Sequence, residues 1–380
     1  MAFLGCFFKE HWQMVGEDII NLCHKVLNNI KDVACLNDTF LVLIPKIKDP
    51  IDMTNFCPIS LCRVIYKIIS KVLANHLQSP PVNQSAFVPG RMIHDNIIIA
   101  HDLMHYLQSS KSRLKKGFVI KLDISKAYDH VEWNLLEKVM IKLGFKVNWV
   151  EEIMWRVRSV RYMVKCNMTL SDSIASERGF DNGTLSPLIF CMEVFSSMLI
   201  HAQNADTIKG IRASKNGRSV NISSLLTMPF FFFVRNKKSE VEAFMNILGT
   251  FEKISGQSIN LDKSMVFFSL NTPMSQRHYL GGLLNLKVVD KLDNYLGLSV
   301  PVGKKKSIAF QSISNRISCR INSWSKRLLS YGGKEIFIKS ILQSISTYAF
   351  SVFLAPKGII EDIQSKISHM WWRGNDKSQS

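Results

Sequence analysis

Acid is scarce in this sequence. Its 380 residues carry 30 aspartates and glutamates against 48 lysines and arginines, a formal net charge of +18. That imbalance points to a polyanionic partner, nucleic acid first, with a basic protein kept soluble by its charge as the plain alternative. None of the eight cysteines, at 6, 23, 35, 57, 62, 166, 191 and 319, forms a CxxC pair, which argues against a zinc site. A chain of this size needs no disulfide scaffold, so a reducing compartment is expected. No segment reaches ~18 uncharged apolar residues, so no membrane span is expected. The opening "MAFLGCFFKEHWQ" lacks a basic n-region and a small-residue cleavage site, so an intracellular location, nuclear or cytoplasmic, is expected. There is no internal repeat and no low-complexity stretch. With 47% hydrophobic and 21% charged residues the composition is that of a folded protein, long enough for two or three subdomains. One local absence stands out: "LLTMPFFFFVRN", residues 225–236, has no carboxylate.

Hydrophobic spacing gives the organisation. "RVIYKIISKVLANHL", 63–77, puts Ile65, Ile68, Ile69, Val72, Leu73 and Leu77 on one helical face. "GFVIKLDIS", 117–125, reads as a buried strand, and "VEWNLLEKVMIKLGF" follows as a helix stopped near Gly144. "SVRYMVKCNM", 159–168, and "SMVFFS" read as strands. "SEVEAFMNILGTFEKISG" has Val241, Phe244, Leu248, Phe251 and Ile254 at helical spacing, with Gly256 suited to the helix stop. Beyond about residue 305 only helices are expected. One carries Ile313, Ile317, Ile321, Trp324 and Leu328, and a second follows a break at Gly332-Gly333.

"KLDISKAYDHVEW", 121–133, places Asp123 at the end of a hydrophobic strand. A strand end is a rigid mount for a metal ligand, as two-metal nucleotidyl transfer requires. Alone, such an aspartate is more often a turn former or helix cap. It stands, however, in an ordered series: "LNDTFLVLIPKIKDPIDMTNFCPISLCRVIYKIISKVLANHL", "NQSAFVPGRMIHDNIIIAHDLMHYL", "KLDISKAYDHVEW", "RGFDNGTLSPLIF", "SGQSINLDKSMVFFS" and "NYLGLSVPVGKK". Together these resemble the reverse transcriptase domain of plant LINE-type (non-LTR) retrotransposons, from about residue 10 to the end. The resemblance implies an α+β, right-hand polymerase fold: a helical lead-in at 1–35, fingers at 36–115, palm with an antiparallel sheet at 116–300, and a helical thumb or connection at 301–380. It implies an RNA template and RNA–DNA hybrid as partners, deoxynucleoside triphosphates as substrates, and Mg²⁺ or Mn²⁺ as cofactor.

Carried over residue by residue, Asp123 matches the first catalytic carboxylate and a metal ligand, with the Ile124 carbonyl beside it. Tyr128 matches the steric gate under the sugar, Lys46 a fingers residue reaching the triphosphate, and Lys263 a lysine near the leaving pyrophosphate. Gln84, Gly90 and Arg91 match a template-contacting segment, and Tyr295 and Gly297 of "YLGL" a primer-grip hairpin. Plainer roles stand beside these: solvated charge or simple phosphate contact for Lys46 and Arg91, core packing for Tyr128, structural roles for Asp129 and Glu132.

The departures are as informative. The resemblance implies paired aspartates where this chain has "LLTMPFFFF", an arginine where it has Cys57, and "RQGDPLSP" where it has the shorter "DNGTLSP" with Asp181 and Asn182. Asp206 and Glu240, the nearest acids in sequence, are poor substitutes. An upstream endonuclease and a downstream Cys/His-rich region are absent from these 380 residues. The expectation is a degenerate reverse transcriptase fragment, catalytically inactive as written. The alternative is a basic nucleic-acid-binding pseudoenzyme, and an unrelated helical interaction protein is the reading furthest from the motifs.

Overall fold

The computed structural model describes residues 7–28, 30, 32, 34–76, 90, 92–108, 117–166, 169–179, 186–211, 230–292, 294–296, 298–299, 306–325 and 329–372. In chain order the elements are α1 (Trp12–Leu27), β1 (Asp38–Pro45), β2 (Phe56–Cys62), α2 (Val64–His76), α3 (Ile93–Gln108), β3 (Phe118–Leu122), α4 (Trp133–Lys142), α5 (Val147–Arg158) and β4 (Arg161–Cys166). They continue with β5 (Thr169–Leu170), β6 (Ile174–Ala175), α6 (Ser186–Asn204), β7 (Phe230–Val234), α7 (Lys238–Ser255), β8 (Met265–Phe268), α8 (Met274–Leu284) and β9 (Lys287–Val289). The hairpin β10 (Asn294–Tyr295) and β11 (Leu298–Ser299) precedes α9 (Lys306–Ser325), α10 (Tyr331–Phe337), a π-helical turn (Ile338–Leu342), α11 (Gln343–Val352) and α12 (Lys357–Trp372).

The chain forms two compact units. The first comprises Met1–Gln84, Ile124–Ala202 and Phe244–Asn260. Its sheet has the order β2-β1-β4-β5, with β6 also on β4. β1 pairs antiparallel with β2 and parallel with β4, Asp38 meeting Arg161. Ile19, Cys23, Val26, Ile69 and Leu73 form one apolar cluster from α1 and α2. Trp133, Leu136, Met140, Val150 and Met154 of α4 and α5 form a second. Arg156, only 2% exposed, pairs with Glu152 at 2.7 Å and donates to the Val26 carbonyl at 3.1 Å, tying the end of α1 to α5. A glycine ends α7 for a conformational reason: Gly256 has φ +70°, and a Cβ there would lie 2.8 Å from the His130 carbonyl oxygen.

The second unit comprises Ser85–Asp123, Gln203–Ala243 and Leu261–Ser380. Its sheet has the order β7-β3-β8-β9, antiparallel across β7-β3-β8 and parallel at β8-β9. The apolar runs explain β3 and β7. A strand covered on both faces reads as a continuous hydrophobic stretch, and phenylalanine suits the pleated surface. Gly117 makes the close start of β3 possible, since a Cβ there would collide with the Val234 carbonyl. Val119, Phe231, Phe233 and Phe267 pack with Leu103 and Met104 of α3, Ile313 and Ile317 of α9, Leu342 and Ala349.

The glycine pair does not break a helix. Gly332 and Gly333 lie in the first turn of α10, whose cap is Ser330, its hydroxyl accepting from the Gly333 N–H at 3.2 Å. A hydroxyl at the N-cap, worth about 1 kcal/mol, offsets part of the conformational cost of the two glycines next to it.

Candidate active site

Asp123 stands one residue beyond β3, at the strand end expected for it. Its backbone N–H donates to the Ser264 hydroxyl at 3.0 Å, which pins the end of β3 to the start of β8. Its carboxylate lies 4.0 Å from the Lys263 ammonium, with the two side chains 26% and 71% exposed. Asp123 and Lys263 are the site residues that the second unit brings together. Ser264 was missed by sequence reasoning; its signal was its place after Lys263 in "LDKS".

The other side of this strand end is apolar. Register pairs Leu122 with Phe230, Lys121 with Phe231, Ile120 with Phe232 and Val119 with Phe233. Phe230 to Phe233 are each 0–2% exposed. The segments around Asp123 and the phenylalanine run are therefore neighbours on one sheet, and the run is core. Because side chains alternate along a strand, Phe231 shares a face with Val119 and Lys121, and Phe230 shares the other with Ile120 and Leu122.

Tyr295 is 1% exposed and its ring stacks on Phe231 with centroids 4.1 Å apart, so this side chain is part of the core. Its hairpin is held from behind by the Tyr348 hydroxyl, which donates to the Leu296 carbonyl at 3.1 Å. Gly90 is exposed at φ +81°. Gln84, Arg91, Gly297, Pro229 and residues 181–185 lie outside the described residues.

In the first unit, Ile124 is buried and bridged to Ile259. Tyr128 is half-buried, and burial raises its phenol above the ordinary value of 10.0. Lys46 is exposed, its ammonium donating to the Thr54 carbonyl at 3.1 Å across the β1–β2 turn. Cys57 is exposed on β2, opposite Ile44.

A two-metal site needs carboxylates converging from facing strands. The strand facing Asp123 supplies phenylalanine, and residues 212–229 contain no aspartate or glutamate. The two acids that flank the phenylalanine run in sequence are engaged elsewhere. Asp206 pairs with Lys209 at 3.1 Å, and buried Glu240 accepts from Arg235 Nε at 2.7 Å. Among the described residues no group of three His, Cys, Asp or Glu side chains is placed to hold a metal. Among the described residues the donor set thus does not fit a pair of divalent ions. Nor is any described helix long and apolar enough to cross a membrane.

Comparison with known proteins places this architecture. Residues 44–284 match the family model described as reverse transcriptase (RNA-dependent DNA polymerase). The chain is 23% identical over 379 residues to the transposon TX1 uncharacterized 149 kDa protein of Xenopus laevis, covering 97% of this chain and 28% of that protein. It is 25% identical over 183 residues to the retrovirus-related Pol polyprotein from type-1 retrotransposable element R2 of Nasonia vitripennis, covering 47% of this chain and 18% of that protein. The chain thus spans less than a third of the length of these curated relatives. Among solved structures, telomerase from Candida tropicalis in complex with a TWJ fragment of telomeric RNA is similar, at 13% identity and a TM-score of 0.48, covering 90% of this chain and 55% of that one. With the family model spanning well over half its length, the chain belongs to the reverse transcriptase family: an α+β, right-hand polymerase fold and the reverse transcriptase domain of a non-LTR retrotransposon.

Proposed function

We propose that this domain binds nucleic acid, in the manner of a reverse transcriptase, without catalysing DNA synthesis. The observation that carries the reading is the antiparallel pairing of Leu122 with Phe230, which sets a buried phenylalanine strand beside Asp123 where a catalytic site needs carboxylates. In a competent enzyme of this class, divalent ions would be held by acids on both strands and would stabilise the charge developing on the transferred phosphoryl group. Here the Asp123 carboxylate lies 4.0 Å from the Lys263 ammonium. Losing two of three such ligands removes several kcal/mol of transition-state stabilisation; at 1.36 kcal/mol per decade this is roughly five orders of magnitude in rate or more.

Binding rests on different groups. A net charge of +18 favours an RNA template or RNA–DNA hybrid through counterion release, which needs no metal. Lys46 and Lys263 are exposed cations that a strand phosphate can contact alongside their present partners, and half-buried Tyr128 offers a ring to a sugar or base. On this reading, fingers, palm and thumb occupy 36–115, 116–300 and 301–380, and deoxynucleoside triphosphates bind weakly because Cys57 and the short "DNGTLSP" segment supply no arginine. Titration of a labelled RNA–DNA hybrid at low and moderate salt, with Mg²⁺ and with EDTA, tests it. Affinity that falls steeply with salt and ignores the metal is expected. No binding at low salt, or binding that requires Mg²⁺, overturns it.

A further inference from the structure

The outer side of α3 carries a pair of histidines that nothing above uses. "HDLMH", 101–105, sets His101 and His105 four residues apart, hence neighbours on one helical face. Leu103, Met104 and Leu107 bury the opposite face of α3 in the core of the unit. The His101 side chain is 24% exposed, and His105 is exposed. His94 of the same helix is engaged, its Nε2 lying 3.0 Å from the Ser351 hydroxyl. His105, by contrast, has no hydrogen-bond or ion-pair partner among the described residues. His101 is held on two sides. Its ring sits against Phe353 with centroids 5.2 Å apart, and its Nδ1 lies 3.7 Å from the Asp102 carboxylate. With Nδ1 toward a carboxylate, the other ring nitrogen is left for a ligand.

Two imidazoles at this spacing on a helix can grip one divalent transition ion, as zinc-binding H-x-x-x-H helices do. A carboxylate behind one imidazole fixes its tautomer and raises its basicity, and Asp102 is placed for that. The helix favours a cation as well, because His105 lies in the last turn of α3, where the dipole is negative. We propose that His101 and His105 form a site for a divalent transition ion such as Zn²⁺ or Cu²⁺, oriented by Asp102 and completed by water. The site is open, since among the described residues no third His, Cys, Asp or Glu is placed to join it. An ion bound there ties the last two turns of α3 together. Mg²⁺ prefers oxygen ligands and does not compete. The site is independent of the nucleic-acid-binding reading above and shares no residue with it.

The test is a calorimetric titration of the purified chain with Zn²⁺. Accessible thiols, Cys57, Cys166 and Cys319 among them, are alkylated first so that they cannot take the metal. The parent is compared with His105→Gln, Asp102→Asn and a control, His278→Gln, which removes an exposed histidine with no histidine four residues away. The tightest Zn²⁺ step should vanish in His105→Gln, weaken about tenfold or more in Asp102→Asn, and stay unchanged in His278→Gln. Excess Mg²⁺ should leave it unaltered, and acidification should abolish it, because a protonated imidazole is no ligand. The electron paramagnetic resonance spectrum of the Cu²⁺-loaded parent should show two coordinated nitrogens, a signature that His105→Gln loses. No saturable Zn²⁺ step in the parent, or one that His105→Gln leaves at full affinity, overturns the proposal. A single coordinated nitrogen in the parent spectrum overturns it too. Parental affinity in Asp102→Asn refutes the orienting role given to that carboxylate.

Discussion

Replacing Phe230 by aspartate, the residue type that the family resemblance implies at this place, should damage the fold before it repairs any chemistry. Phe230 is 2% exposed and lies opposite Leu122, itself 1% exposed, on the face it shares with Ile120. Truncating a buried phenylalanine costs about 3–5 kcal/mol. Placing a carboxylate there without a partner adds several kcal/mol more, or forces the group to take a proton. The sum, roughly 6 kcal/mol or more, consumes much of the ~5–15 kcal/mol that holds a domain together. Phe230→Leu, which keeps the site apolar, should cost only roughly 1–2 kcal/mol. Urea unfolding followed by far-UV circular dichroism compares the three proteins at constant m-value. The aspartate variant should be unfolded or have a midpoint far below the leucine variant. A Phe230→Asp protein with the parental midpoint and slope would refute the reasoning, because it would mean that position 230 tolerates charge and that the run is not core.

Lys263→Ala should change stability by no more than about 0.5 kcal/mol, since its 4.0 Å pair with Asp123 is largely exposed; a loss of several kcal/mol in the same unfolding assay would show a structural role. Phe232→Ala, at a site with 0% exposure, should lose about 3–5 kcal/mol, and a near-neutral result would contradict the register of β7 on β3. Burial pushes the Cys191 thiol from 9.0 up to about 12. The fold therefore favours the protonated form, so this stabilisation is complete below about pH 9 and is lost as pH rises toward about 12. Alkaline unfolding of Cys191→Ala should show a shallower decline over that window, and an unchanged pH profile would count against it.

Much of this fold was legible because it is local. The stripe over 63–77 became α2, the apolar run ending at Asp123 became β3, and Gly256 stopped α7 with the positive φ that its position demanded. The neighbourhood of β3 and β7 was legible too, because both are continuous apolar runs whose mutual burial needs no catalytic acids. The rest depends on distant partners. Parallel pairing of Asp38 with Arg161 joins segments 123 residues apart, and no local pattern announces it. Tyr295 matched a primer-contacting hairpin in the sequence, but its ring is stacked on Phe231, a partner remote in sequence. At the candidate site, the place of Asp123 just past a strand end was legible from its motif, whereas the contact of its N–H with the Ser264 hydroxyl spans 141 residues and the order of the motifs does not reveal it. The apolar stripe of α9 identified Ile313 and Ile317. It could not show that Arg316 and Arg320 line a groove with Ile341 of the π turn.

The most direct test of the central claim is primer extension on an RNA template by the purified, unmodified chain, with Mg²⁺ and separately with Mn²⁺, under low-salt conditions in which the hybrid is bound. A buried phenylalanine strand beside a lone aspartate predicts no detectable extension with either metal, while binding persists. Robust extension that disappears in Asp123→Ala would contradict the account, and would show that another acid completes the site.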